Sequence, residues 1–471
     1  MKYSSRALAI LLAALVLLAK PASVSSQLPS WLYHAPSDVL AVSISDDGKY
    51  VAIGCYDGNV FYFDKAFTNS KDLGRYATTN RVRTVAASSN GEYFAVGSND
   101  KNVYLFRREG QDIRKLWNFQ TQGVINSISI SGNGEHLVAG SYDGRVYFFD
   151  RAFTDKKPLW TFKAGGPIRS VAISRDGNYV VAGGEDTCVY FFDREYTGNT
   201  HLWSFKAEAL VTSVSISGEG EYVTAGSVDS YAYFSDKAFS KKSYLWRGKL
   251  MGKATSVAIS TDGMKITAGC DRGYVYYFDR GFSGNDCLWE FQTGGKVLSV
   301  AINYDGYYVA VGSEDNGVYF FDSPFTTRNY LWRYLTEGDV QSVSISSDGV
   351  NLVAGGYDNA LYFFSSPTPP KEETKTTAPK TTEERTLTSV HTIPSGEKPP
   401  TTATSTTKSA ALPSNLLAGI VVVVVVLAAL GLALRMRKGK APSDQYKYCL
   451  NCGTRIEEGA EFCPKCGSRQ E

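Results

Sequence analysis

The chain has 471 residues, and 49 Lys and Arg against 47 Asp and Glu leave a formal charge of +2. That length admits several domains or one long repeat array. The charge balance excludes a global field that would draw nucleic acid or an acidic partner, so no nucleic acid is expected for the main body of the chain.

The chain opens with Lys2 and Arg6, an apolar run ALAILLAALVLLA (7–19), and small residues through Ser26. A charged start, a short apolar stretch and a small-residue site near Val24-Ser25-Ser26 predict a signal peptide over 1–26. The run is too short to cross a bilayer comfortably, which disfavours an uncleaved anchor.

From Ala41 one pattern repeats, starting again at Thr84, Ser127, Ser170, Ser213, Ser256, Ser299 and Ser342. Every step is 43 residues. Each copy holds three strand-like runs separated by polar turns, as in SVAISRDGNYVVAGGEDTCVYFFD (170–193). A fourth run precedes each copy and carries all seven tryptophans: Trp31, Trp117, Trp160, Trp203, Trp246, Trp289 and Trp332; the second copy has Gly74 there. Four short strands at this period predict an all-β, eight-bladed β-propeller over 27–366. Blades packed face to face bury both faces of each sheet, which explains why Val-Tyr-Phe-Phe does not alternate with polar residues. The array starts on a Trp strand and ends on Leu361–Phe364, one strand short. The N-terminal strand is therefore expected to complete the last blade and close the ring non-covalently.

The pattern at Ala139–Asp150 with Leu159–Phe162, and at Ala310–Asp322 with Leu331–Tyr334, resembles the quinoprotein-like (PQQ-type) propeller repeat. It is also similar to a WD-repeat, with Phe-Asp where that family has Trp-Asp. Both resemblances imply a propeller, and both families contain many non-catalytic scaffolds. The first would imply a quinone and calcium in the central funnel, often against a disulfide of adjacent cysteines. No such cysteine pair is present, and eight equal periods leave no blade insertions to build that site. A quinone-dependent oxidoreductase, or another enzyme using the funnel, is thus the alternative to a binding scaffold.

An acidic residue recurs in the turn between the second and third strands: Asp57, Asp100, Asp143, Asp186, Asp229, Asp315 and Asp358, shifted in the sixth copy to Asp271 beside Arg272. Propeller topology puts these turns on one face. Either they form a ring that attracts cations or a basic partner, or each Asp shapes its turn by bonding its own backbone; repetition in every blade favours the second. Residues just before the inner strands differ between copies: Thr79-Asn80-Arg81, Gln122, Lys253-Ala254, Lys296 and Asp339. They share that face and would form a partner surface, unless they vary as unconstrained loop residues. His34, His136, His201 and His391 occupy unrelated positions and suggest no site. Cys55, Cys188, Cys270 and Cys287 read as buried thiols rather than disulfides; Cys270 and Cys287 would flank a strand, about 9–10 Å apart.

Residues 367–414 contain fourteen Thr and eight Pro, a composition that cannot bury enough apolar surface to fold. They predict an extended stalk reaching about 150 Å at about 3.1 Å per residue. LLAGIVVVVVVLAALGLAL (416–434) carries no charge, and Arg435, Arg437, Lys438 and Lys440 follow at once. This predicts a transmembrane helix over 415–434, a basic juxtamembrane linker over 435–447, and a cytoplasmic C-terminus. The expected protein is thus a type I single-pass protein of the cell membrane.

The tail, 448–471, carries Cys449-x-x-Cys452-Gly and Cys463-x-x-Cys466-Gly. Each half supplies two thiolates from one tight turn, and the pair completes a closed tetrahedral site for one structural Zn²⁺. The tail resembles the short zinc-ribbon family. The metal would supply what so small a domain cannot obtain from its core. The reading is a non-catalytic cell-surface scaffold with a protein partner, tethered to a cytoplasmic zinc ribbon.

Overall fold

In the first copy β2 (Val39–Ile44), β3 (Tyr50–Cys55) and β4 (Asn59–Asp64) form an antiparallel meander, and β5 (Gly74–Ala77) adds the outer strand. The computed structural model describes residues 27–67, 72–197, 201–239, 243–281, 287–324, 329–365, 446–448 and 455–457. The predicted signal peptide, stalk, span and most of the linker lie outside them, as do Cys449, Cys452, Cys463 and Cys466. Among the described residues no helix is long and apolar enough to cross a membrane.

Among the described residues there are eight four-stranded sheets. Seven are built from consecutive strands and are numbered here as blades 1 to 7. Blade 8 takes three strands, Val340–Ile345, Asn351–Gly356 and Ala360–Ser365, from the end of the array, and its fourth, β1 (Trp31–His34), from the beginning. Trp31 pairs with Phe363 and His34 with Ala360, so the ring closes by strand exchange as the repeat phase predicts.

Burial accounts for the unbroken apolar third strands. In β4, Val60, Phe61, Tyr62 and Phe63 are all buried. Phe61 and Phe63 join Leu361 and Phe363 of blade 8, whereas Val60 and Tyr62 join Val82, Val85 and Phe94 of blade 2. The two-residue alternation persists, but each face meets a neighbouring blade instead of water. The second strands carry Gly where the next inner strand presses closest. A Cβ on Gly140 would stand 2.5 Å from Cγ2 of Ile168.

Neighbouring blades are also joined by hydrogen bonds repeated around the ring. Inner-strand hydroxyls accept amides of an adjacent blade, as in Val171 N to Ser127 Oγ at 3.1 Å. The same bond crosses the seam, from Val42 N to Ser342 Oγ at 3.2 Å. At the rim, Trp117, Trp160, Trp203, Trp246 and Trp289 each donate Nε1–H to a carbonyl of the following blade, and Trp31 donates to Lys65 O at 3.0 Å. Where Gly74 replaces Trp, Ile113 fills the space: a Cβ at 74 would stand 2.4 Å from its Cγ1. Ile113 is delivered by a lengthened hairpin, Asn102–Glu109 and Asp112–Gln120, so blade 2 reaches back over the missing ring.

One end of the central channel is ringed by the turns that follow the inner strands. Ser89 N bonds Gly132 O, Gly132 N bonds Arg175 O, Arg175 N bonds Gly218 O and Gly218 N bonds Thr261 O. Asp262 N to Tyr304 O, Tyr304 N to Ser347 O, Ser347 N to Asp46 O and Asp47 N to Ser89 O complete a backbone circuit through all eight blades. Arg175 spans this end to the Asp46 carboxylate at 2.8 Å.

A separate unit begins within the C-terminal segment. In it, Tyr446–Tyr448 pairs antiparallel with Arg455–Glu457. The hairpin thus takes up Tyr446 and Lys447, the last two residues of the predicted linker.

Candidate protein-interaction face

The channel end opposite the backbone circuit is furnished by an irregularity common to all eight inner strands. In β2, Val39 pairs with Cys55 and Ala41 with Gly54, leaving Leu40 as an extra residue. Arg83, Asn126, Arg169, Thr212, Thr255, Leu298 and Gln341 are the equivalent bulged residues. A bulge breaks the pleat and re-aims its side chain. Thr212, Thr255 and Leu298 line a cavity of about 640 Å³ at this mouth, together with Lys253, Lys296, Asp271 and Glu314. Of these, Lys253 and Lys296 were expected from loop variation. The bulged residues were not, because one extra residue per strand is visible only in the pairing register. Their signal in the sequence is variation at one site of an otherwise regular strand.

The aspartates ringing this mouth are consumed within the turns. Asp143 accepts Arg145 N on Oδ1 at 2.9 Å, and on Oδ2 the amides of Gln122 and Gly123, both at 3.1 Å, and the hydroxyl of Tyr147 at 2.8 Å. Asp100, Asp186, Asp229, Asp315 and Asp358 repeat the tyrosine bond. Burial and the adjoining carboxylate raise the Tyr147 phenol well above its ordinary value. Asp57 has Phe61 in place of tyrosine and takes Asn59 Nδ2 instead, at 2.7 Å. Asp271 is out of phase: it accepts Lys253 N at 2.9 Å, and Tyr276 Oη accepts Met251 N at 2.9 Å in place of the lost carboxylate. Among the described residues no group of His, Cys, Asp and Glu is arranged to hold a metal.

What distinguishes one side of the face from the other is the residue just before each of these turns. Blades 8, 1 and 3 present Tyr357, Tyr56 and Tyr142, which are 50%, 52% and 53% exposed. Blade 2, between the last two, presents Asn99, and blades 4 and 7 present Glu185 and Glu314. The tyrosine arc adjoins cations: the Arg81 guanidinium stands 5.2 Å over the Tyr56 ring, and Arg83 Nε bonds Asn99 Oδ1 at 2.6 Å. Partial burial, Arg81 and Arg169 together push the Arg83 guanidinium below its ordinary value. Arg169 and Lys296 are instead neutralised, by Glu185 at 2.6 Å and Glu314 at 3.3 Å. The mouth therefore has an aromatic and cationic arc facing an ion-paired one.

For the tail, the strands Tyr446–Tyr448 and Arg455–Glu457 bracket residues 449–454, the connection that carries Cys449 and Cys452. A hairpin connection with both thiols of a Cys-x-x-Cys fits a zinc knuckle, and an all-thiolate donor set suits Zn²⁺. The four cysteines would hold the ion in a closed site, with the chemistry of a structural clamp.

Comparison with known families agrees with this geometry. The WD domain, G-beta repeat matches residues 27–64, 71–107, 113–150, 156–193, 285–322 and 332–365, most of these segments running from an outer strand into the following blade. A zinc-ribbon domain matches residues 448–470. No curated protein matches the chain. Six segments of the chain thus match WD40 repeats, and the structure arranges the whole array as an eight-bladed β-propeller; WD40 propellers typically serve as non-enzymatic scaffolds for protein interactions.

Proposed function

We propose that this chain is a membrane-tethered interaction scaffold whose propeller binds a polypeptide partner through the channel-mouth face. The observation that carries the reading is the arc of Tyr357, Tyr56 and Tyr142, half-exposed aromatic rings beside turn aspartates whose carboxylates are already taken up by hydrogen bonds. Exposed tyrosines beside arginines are the composition of interface anchors. The arc favours a partner segment with apolar or acidic side chains, because among the described residues Arg81 and Arg83 have no carboxylate partner.

The apolar run at 416–434 and the basic residues after it support a single span with the propeller outside the cell. On this reading the zinc ribbon lies in the cytoplasm, where it is a second, smaller platform. Crosslinking of the full-length chain in intact cells tests both parts. Partner crosslinks mapped to the arc, and protease access to the propeller without cell lysis, are expected. Crosslinks confined to the opposite end of the propeller, or protection of the propeller in intact cells, would overturn the reading.

A further inference from the structure

The rim between blades 5 and 6 departs from the repeat at several positions at once, and the departures meet in one cleft. In seven outer strands the second residue after the Trp position is a ring that packs, tilted or edge-on, against the rings of the third strand of the next blade. Phe162 lies 4.8 Å from Tyr190 and 5.0 Å from Phe192; Phe291 lies 5.2 Å from Phe321; Tyr334 lies 5.4 Å from both Tyr362 and Phe364. In blade 5 this residue is Gly248. The far side of three such clefts is filled by a second ring, His201, Tyr244 or Tyr330. In blade 6 the equivalent residue is Cys287.

Loss of both rings leaves a cavity of about 580 Å³ floored by Tyr276 and Phe278. Phe278 leans partly across the gap, so that a Cβ on Gly248 would stand 2.7 Å from its Cε1. Two further changes shape the opening. Met251, 67% exposed, stands at its edge, where the other copies have Pro, Gly or polar residues. Arg272 has replaced the turn aspartate, so the Tyr276 hydroxyl accepts Met251 N and its own proton has no acceptor among the described residues. Lys249 and Glu290 flank the entrance with opposite charges.

We propose that this cleft binds an aromatic ring of phenol or indole size, supplied free or as a side chain, in the place that the chain's own rings occupy elsewhere. The floor offers two aromatic rings for the tilted or edge-on contacts seen in the other clefts, Met251 offers a thioether against a ring edge, and the Tyr276 hydroxyl offers a donor to an oxygen on the ligand. A single ring takes up part of the volume, since apolar cavities of about 150 Å³ already hold benzene. The remainder admits a substituent, and Lys249 and Glu290, of opposite sign at the rim, give the entrance no net charge to draw a strongly charged ligand. This site is distinct from the channel-mouth face and stands or falls separately from it.

Calorimetric titration of the full-length chain with p-cresol and with N-acetyltyrosinamide tests the assignment. Saturable binding of at least one is expected, weakened more than tenfold in both Gly248→Phe and Cys287→Tyr, which restore the missing rings. Tighter binding of the amide assigns the ligand as a side chain, and tighter binding of p-cresol as a free ring. Should Gly248→Phe misfold because Phe278 cannot withdraw, Cys287→Tyr alone decides. No saturable binding at millimolar ligand, binding that survives Cys287→Tyr, or equal affinity for cyclohexylmethanol would overturn the proposal.

Discussion

Trp31→Ala should open the propeller at its seam. Trp31 stacks on Phe363 with centroids 4.8 Å apart and an interplanar angle of 7°, and meets Phe67 edge-on at 5.2 Å. It belongs by strand pairing to blade 8 and by its bond to Lys65 O to blade 1. Truncating a core Trp costs about 3–5 kcal/mol, and Trp31 is only partly buried, which puts it near about 3 kcal/mol. That sum includes about 1 kcal/mol for the lost hydrogen bond. A loss of this size raises the population with β1 detached by about 100-fold. Denaturant titration reads the stability, and chymotrypsin cleavage at Leu32 and Tyr33 reads the detachment. Trp160→Ala is the control, because its blade is continuous in the chain. It should lower stability by a similar amount without exposing β1. A Trp31→Ala protein within about 0.5 kcal/mol of wild type, with β1 still protected, would refute non-covalent closure as the propeller's weak point.

Asp143→Ala should cost about 2–3 kcal/mol by stranding the Tyr147 hydroxyl and three loop amides, whereas Asp143→Asn, which keeps an acceptor, should cost about 1 kcal/mol. Equal melting of Asp143→Ala and wild type would show that the carboxylate does not hold the turn. His136 occupies a position that is tyrosine in five other copies and stacks on Phe148 at 5.4 Å. Burial first, and then Arg194 and Arg151 against the opposing pull of Asp150 and Glu135, hold its imidazole below the ordinary histidine value. The unfolded chain therefore takes up a proton before the folded one does. The contribution is complete above about pH 6.5 and is lost as pH falls through the depressed value. His136→Tyr should flatten stability between pH 7 and 5; an unchanged slope would count against it. Replacing Cys449 and Cys463 by Ser should remove one zinc per chain and leave propeller melting unchanged; zinc retained at full stoichiometry would refute the four-cysteine site.

The propeller was legible because its determinants are local and repeated. A constant period, a Trp at a constant phase and recurrent turn residues predict blades without any knowledge of long-range contacts. The strand deficit at Leu361–Phe364 likewise implied closure by residues near Trp31. The role of the turn aspartates was half legible. Asp-Gly turns suggest backbone bonds, but the bond to a tyrosine four residues on, as from Tyr147 to Asp143, went unread. The features that set the faces apart depend on register or on residues far apart in sequence. The bulge that re-aims Arg83 and Arg169 appears only when strands are paired. Cys287 read only as a buried thiol and is in fact half-buried, Gly248 carries no pattern of its own, and only the packing of blade 5 on blade 6 joins them in one cleft. Arg175 and Asp46 meet across the ring, a pairing no local pattern encodes. The tyrosine arc sits at a repeat position that holds Asn99, Glu185, Val228, Asp271 or Glu314 in the other copies, so no constant pattern marks it, and only the ring closure brings Tyr357 beside Tyr56.

The central claim, that the channel-mouth face holds a polypeptide partner, is tested most directly by one affinity comparison. With a partner identified by crosslinking, its Kd for the full-length chain is measured against a variant with Tyr56, Tyr142 and Tyr357 all replaced by Ala. These rings are exposed and lie outside the turn hydrogen bonds, so folding should be retained. The account predicts affinity weakened at least 100-fold, as expected for the loss of about 3 kcal/mol of anchor contacts. An affinity unchanged within twofold, in a variant that melts as the wild type does, would contradict it.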